Sequence, residues 1–564
     1  MYRYIGSLHN IQGVEIVVKV EKYELPIAQQ LSADYINGKQ QVIQQLYGYF
    51  SGNKEDWAAR AARLDSLGEK RMPSGQLASV LRQYHARFQL SELQERNLQH
   101  IEQGAQVVIG GQQAGLWTGQ LLVIHKVVTI IKAAAEASQQ LGRPVVPVFW
   151  IAGEDHDWDE VNHTHLISTD LSLKKLTIAK EDSQQRTSVS RTAISSEQWQ
   201  EVLAELAEHL PSSEFKEGLI AQLNDICQSS ASLTECFAAI IQQLFAEHGL
   251  LLIDSDYHLL REQEQPMFRK LLEHNEELGA AYGATADLIR GMDYSLQADV
   301  TANSSNLFIF PEELGNDRVL LYKENGEFQD RKGQHRWSYD QLLQLLDNEP
   351  SRFSNNVLTR PLMQDYVFPV LGTVLGPGEI SYWALTGKAF AVLGMEMPII
   401  VPRMSYTLVE GIIAKNMDKY GLSFADVMDR YQECKKQWLQ QQDELGIEQR
   451  FTAVKEQFIA MYEPLLQMAS SIQNGLAKLG DTNMAKIIEQ IQYMESKTID
   501  AQQKQFEAAI RQLDRIELSL KPNGKPQERV LTMISYWNRY DRAWLDALLH
   551  APYSRTGGHE IVYL

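Results

Sequence analysis

Between residues 106 and 151 the chain places flexible backbone between two apolar runs, an order that few folds accommodate. Gln106–Ile109 is a short apolar stretch, and glycines follow at 110, 111, 115 and 119. Leu121–Ala135 then has an apolar helical pattern, and after the turn Leu141-Gly-Arg-Pro144 the run Val145–Ile151 is buried-strand-like. Strand, loop, helix and strand in this order make a βαβ unit, which requires a parallel sheet covered by helices. Leu250–Ile253, closing on Asp254-Ser-Asp256, and Pro398–Val401 read as further buried strands of the same sheet. The predicted fold class is therefore α/β, a doubly wound parallel core.

The rest of the chain is arranged around that core. Residues 25–100 read as helical, with Leu77, Val80, Leu81, Tyr84 and Phe88 at helical spacing. Insertions fall at approximately 165–248 and 260–355. In them Lys174–Ala193 alternates like a strand, and Leu307–Trp337 carries hairpin turns at Gly315-Asn316 and Asn325-Gly326. Phe451, Val454, Phe458, Met461, Leu465, Met468 and Ile472 then follow a heptad spacing. Gly480-Asp-Thr-Asn483 is expected to break this helix, with Thr482 or Asn483 capping a second one. The division is a core over 1–420, an antiparallel helical hairpin over 421–525 that dimerises, and a segment over 526–564 that returns to the core. Lys521-Pro-Asn-Gly-Lys-Pro526 is the turn before the return.

Composition narrows the classes of partner. A net charge of -19 over 564 residues argues against a broad nucleic-acid or anionic-membrane surface. No apolar run reaches the roughly 20 residues that span a bilayer, and the N-terminus lacks a signal-peptide layout. The 3 cysteines, Cys227, Cys236 and Cys434, have no metal-binding spacing and fit a reducing cytoplasm.

The glycine loop leads from a sheet into a helix, where backbone N–H groups and the helix dipole favour an anion. Gly111, Gly115 and Gly119, with Gln112, Gln113 and Thr118 as donors, are candidates for a phosphate or carboxylate cradle, and Lys126 follows on the helix. The spacing is neither that of a P-loop nor that of a dinucleotide fingerprint. The next strand ends in Glu154-Asp-His-Asp-Trp-Asp-Glu160, and ligands of open α/β sheets bind at such carboxyl ends. Asp155 and Asp157 are candidate general bases, with His156 between them, and the acidic cluster also suits a magnesium ion. His156, His163 and His165 match no zinc spacing, and no resident metal ligands are assigned. Arg360, in Asn356-Val-Leu-Thr-Arg-Pro-Leu-Met-Gln364, suits carboxylate recognition. Gln364, Glu379 and Tyr382 are candidate binding residues, the last two in the second glycine turn Gly376-Pro-Gly-Glu-Ile-Ser-Tyr382.

GGQQAGLWTGQ with Lys126, VFWIAGEDHDWDE, NVLTRPLMQD and GPGEISYW, in this order and over essentially the full length, resemble the bacillithiol biosynthesis cysteine-adding enzymes. The resemblance implies a Rossmann-like core with connecting-peptide insertions, similar to class I aminoacyl-tRNA synthetases, and a dimerising coiled coil. It also implies a ligase that joins L-cysteine to the glucosamine amine of glucosaminyl-malate. Where those synthetases carry a His-Ile-Gly-His signature and a Lys-Met-Ser-Lys-Ser signature, this chain has Thr118-Gly-Gln120 and Arg403-Met-Ser405. A free carboxylate is a poor electrophile, so ATP, with Mg2+ and with ADP as one possible product, is the expected activating cosubstrate. Two other readings share the fold: a nucleotidylyl transferase on another small metabolite, and a non-catalytic nucleotide-binding scaffold. A metal-dependent amidohydrolase is a more distant alternative.

Overall fold

The computed structural model describes residues 3–9, 15–67, 70–180, 186–442 and 446–564. Part of the Lys174–Ala193 stretch, residues 181–185, lies outside them; within it a strand runs over Leu173–Thr177. The chain divides into two compact units, residues 1–408 with 525–564, and residues 409–524.

The first unit is built on a parallel sheet of β1 (Gln106–Gln112), β2 (Val145–Ile151), β3 (Leu251–Asp254), β4 (Val370–Leu375) and β5 (Ile399–Pro402). Its spatial order is β5-β4-β1-β2-β3, and each neighbouring pair is parallel. The order reverses between β1 and β4, and such a switch point opens a crevice at the carboxyl ends of the strands. β2, β3 and β4 are buried at every position, as expected of strands covered on both faces. Val146, Val148, Phe149, Trp150 and Ile151 alone are all fully buried, each side chain contributing about 1.5–3 kcal/mol.

The first crossover is α1 (Leu122–Leu141), which ends at Gly142 in the left-handed conformation, φ 64°. Two of the glycines before it are required by packing. A Cβ on Gly111 would lie 2.7 Å from the Trp150 carbonyl oxygen, and one on Gly115 would lie 3.0 Å from the Gly119 Cα. The glycines thus let β1 lie close to β2 and let the loop fold onto itself.

An antiparallel sheet of five strands occupies the second insertion, with Ser304–Ile309 between Val319–Glu324 and Phe353–Asn355. A further sheet pairs Arg3–His9 with Glu15–Tyr23, and Glu15–Tyr23 with Gly558–Tyr563. The last strand of the chain therefore belongs to the first unit.

The second unit is helical. α3 (Ile447–Ile472) and α4 (Asn474–Gln505) run antiparallel, tied by Lys455–Glu495 at 2.9 Å and Tyr462–Asn483 at 3.3 Å. The break expected at Gly480–Asn483 is not there. It falls at Gln473, whose φ of -155° and ψ of 124° leave the helix. Gly480 lies within α4, where a Cβ would come 2.1 Å from the Leu466 side chain, so this glycine allows close helix packing. Thr482 bonds back to the Lys478 carbonyl and caps nothing.

Candidate active site

A cleft of about 570 Å3 lies at the switch point, within the range of small-molecule sites. The ends of three core strands reach it: β1 with Gly111 and Gln112, β2 through Ala152 to His156, and β4 through Gly376 to Glu379. Arg403 follows β5, and Phe308, Arg318 and Asn355 come from the inserted sheet.

Several cations line the cleft. Lys126, 1% exposed, donates to the Gly111 carbonyl at 2.7 Å, to Gln112 Oε1 at 2.8 Å and to Glu379 Oε2 at 2.6 Å. Burial pulls its ammonium below the usual lysine range, opposed by the charge of Glu379. Glu379 also accepts from the Gly376 amide at 2.8 Å, closing the first turn of α2 (Pro377–Trp383). Arg360 Nη2 donates to the Tyr382 hydroxyl at 2.5 Å. Arg403 is bound through both terminal nitrogens by Glu528, at 2.6 and 2.8 Å.

The acids that line the cleft already have partners. Gln113 Nε2 donates to Asp155 Oδ2 and to Glu160 Oε2, each at 2.7 Å. Asp155 Oδ1 accepts from the His156 amide at 2.8 Å and from Arg318 Nη1 at 3.3 Å. Burial raises the Asp155 carboxyl, but the hydrogen bonds from His156 and Gln113 and the charge of Arg318 outweigh it. Asp155 is thus held below the usual carboxylate range and is ionised at neutral pH. Arg318 also donates to the Asn355 carbonyl at 2.6 Å, and its guanidinium lies 4.0 Å over the Phe308 ring. Glu154 accepts from Arg261 and from the Asn355 amide. Arg261 bonds Glu264 as well, at 2.7 Å, yet burial pushes the Glu264 carboxyl up to about 8.

The structure thus brings Gly111, Gln112, Gln113, Lys126, Asp155, His156, Arg360, Glu379 and Tyr382 into one cleft. Other candidates lie elsewhere. Asp157 is exposed and caps the short helix Trp158–Val161, accepting from the Glu160 amide at 3.3 Å. Thr118 is fully buried with a left-handed backbone, φ 72°, and does not line the cleft. Gly115 and Gly119 pack on one another, and Gln364 is buried outside the cleft. The Leu121 amide, at the start of α1, donates to the Leu531 carbonyl at 2.9 Å. The cradle expected over residues 111–119 is therefore reduced at the cleft to Gly111–Gln113.

Sequence reasoning missed Arg318, Asn355 and Glu528. Glu528 lies 125 positions from Arg403 and Arg318 lies 163 from Asp155, so no local pattern links them. Among the described residues, no group of three or more His, Cys, Asp or Glu side chains is arranged to hold a metal ion.

Two family descriptions cover nearly the whole chain. "Bacillithiol biosynthesis BshC, N-terminal Rossmann-like domain" matches residues 18–404, and "Bacillithiol biosynthesis BshC, C-terminal coiled-coil domain" matches residues 406–564. The chain belongs to the BshC family. A BshC protein of Bacillus cereus (strain G9842), named "Putative cysteine ligase BshC", is 34% identical over 97% of this chain and 100% of its own. A protein of the same name from Bacillus anthracis is 33% identical over the same shares. The BshC core domain is Rossmann-like, in agreement with the parallel sheet and its switch point. No described helix is long and apolar enough to cross a membrane.

Proposed function

We propose that this chain is a ligase that completes bacillithiol by joining the carboxyl group of L-cysteine to the glucosamine amine of glucosaminyl-malate. The observation that carries the reading is the cleft of a BshC-family chain, lined by both an ionised carboxylate and several cations. Ionised Asp155 lines it together with the cations Lys126, Arg360 and Arg403. Both substrates carry an amine and at least one carboxylate, so each needs an anion and a cation within one site.

Asp155 orients the substrate amine as a charge-assisted acceptor. Its depressed carboxyl makes it a weak base, so the role expected for it from sequence, general base, moves to positioning. The proton that leaves the amine during amide formation departs with the group displaced from the cysteine carboxyl. Arg360 clamps a carboxylate, fixed in direction by Tyr382. Gln113, held between Asp155 and Glu160, keeps the acidic wall in place.

ATP is the proposed activating cosubstrate. The loop at Gly115–Gly119 folds on itself and does not line the cleft, so in this reading the phosphates meet the cleft at Gly111–Gln113. When bound, ATP supplies the leaving group that a free carboxylate lacks, and a magnesium ion accompanies its phosphates. A homodimer formed through the helical hairpin belongs to the same reading. Met461, Met468 and Ile472 on α3 are 67, 59 and 75% exposed, which is unusual for large apolar side chains.

The test is direct. Purified protein with L-cysteine, glucosaminyl-malate and MgATP is expected to form bacillithiol, detected by mass spectrometry. Product without ATP would remove the cosubstrate from the reading. No product under any of these conditions would remove the ligase.

A further inference from the structure

The residues 527–532, which follow the second unit in sequence, bond in succession to Leu408, Arg403, His125, Leu121 and His165 of the first unit, and of these Arg403 lines the cleft. The Gln527 side chain accepts from the Leu408 amide at 2.9 Å and donates to the Leu408 carbonyl at 3.0 Å. Glu528, 4% exposed, holds Arg403 and also bonds His125 Nδ1 at 2.7 Å. The Leu531 carbonyl accepts from the Leu121 amide, and the Thr532 amide donates to the His165 carbonyl, both at 2.9 Å. Between these anchors Arg529 is exposed and lines the cleft.

Of the cations in the cleft, Lys126 pairs with Glu379, Arg318 with Asp155 and Arg403 with Glu528. Among the described residues neither Arg360 nor Arg529 has a carboxylate within ion-pair distance; Arg360 hydrogen-bonds the Tyr382 hydroxyl and feels the charges of Glu379, Glu154 and Asp155 only from farther off. Two guanidiniums lining one cleft, neither held in an ion pair, match a ligand that brings two carboxylates.

We propose that the segment 527–532 is a wall of the active site, and that Arg529 and Arg360 together bind a dicarboxylate, the malate moiety of the sugar substrate. This rests on the substrate reading above and adds the residue that the second carboxylate meets. Arg403 stays engaged with Glu528, which fixes the segment in place.

Calorimetry on the full-length protein tests the assignment with L-malate and L-lactate, which differ by one carboxylate, and with inorganic phosphate. Wild type is expected to bind L-malate roughly ten- to hundredfold more tightly than L-lactate. Arg529→Ala is expected to abolish that preference with an unchanged melting temperature, and Arg529→Lys to restore part of it. A preference retained in Arg529→Ala overturns the role of Arg529 and leaves the substrate reading intact. A wild type with no preference overturns the assignment, and bacillithiol formation in the assay above then decides separately whether the substrate reading stands. Phosphate binding weakened more than malate binding by Arg529→Ala assigns the residue to a phosphate and also overturns the proposal.

Discussion

Glu528 and Arg403 form a buried bidentate ion pair across 125 positions, with Nη1 to Oε2 at 2.6 Å and Nη2 to Oε1 at 2.8 Å. Their side chains are 5 and 4% exposed, and His125 Nδ1 shares Oε2 at 2.7 Å. Burial raises the Glu528 carboxyl, but Arg403 and His125 more than offset this and hold it well below its usual range. Glu528→Gln leaves the Arg403 guanidinium buried without its counter-charge. The expected loss is about 3–5 kcal/mol of stability, read from urea unfolding. A loss below about 1 kcal/mol would show that water or another group replaces the carboxylate.

Gly111 and Gly378 both line the cleft, and they should respond differently to alanine. A Cβ at Gly111 meets the Trp150 carbonyl at 2.7 Å, whereas one at Gly378 meets nothing within 4 Å. Gly111→Ala must push β1 from β2, costing about 1–3 kcal/mol and misplacing Gln112 and Gln113. Gly378→Ala is expected to melt with the wild type. Equal melting of both variants in thermal scans would contradict this account of the glycine.

What the sequence disclosed follows from how local each signal was. The βαβ unit was legible because Val145–Ile151 and the glycine loop are contiguous, and the strand boundaries agree within a few residues. Gly480 misled because a glycine has two uses, turning a chain and admitting a neighbour, and only the position of Leu466 decides between them. The strand Gly558–Tyr563 escaped because its partner Glu15–Tyr23 lies at the other end of the chain. In the cleft, the strand-end residues Gly111 to Gln113 and Asp155 were readable from position alone. Arg318, Glu528 and Arg529 were not, since only the tertiary fold brings them there.

Acid should destabilise the protein through two histidines. Burial pushes His85 and His559 down to about 4, from an ordinary value of 6.5. His85 Nε2 accepts the Leu252 amide of β3 at 3.1 Å, a bond that needs the neutral ring. Between pH 6.5 and 4 the unfolded chain binds the extra protons, so stability present above pH 6.5 is lost as pH falls to 4. Each histidine contributes up to ~3 kcal/mol. Urea midpoints at pH 7.5 and 4.5 check this, and equal midpoints would contradict it.

The exposed seam of α3 gives a further expectation. Met461→Glu with Met468→Glu should turn a dimer into a monomer in sedimentation, without loss of helix content. A wild type that sediments as a monomer would remove the dimer from the account.

Asp155→Asn keeps the shape of the acidic wall and removes its charge. A charge-assisted hydrogen bond is worth about 1.5–3 kcal/mol, so kcat/KM for the sugar substrate should fall roughly ten- to hundredfold, with a lowered melting temperature because buried Arg318 loses its carboxylate partner. A fall confined to cysteine would place the other amine at Asp155.

The measurement that bears most directly on the account is a thiol profile, by mass spectrometry, of a bacterium that makes glucosaminyl-malate and lacks its own cysteine-adding enzyme. This gene is supplied intact in one strain and as the Arg360→Ala form in another. The account predicts bacillithiol with the intact gene, and with the variant only a small fraction of it at equal protein level. Well-expressed intact protein that yields no bacillithiol, or an Arg360→Ala form that yields as much as wild type, would contradict it.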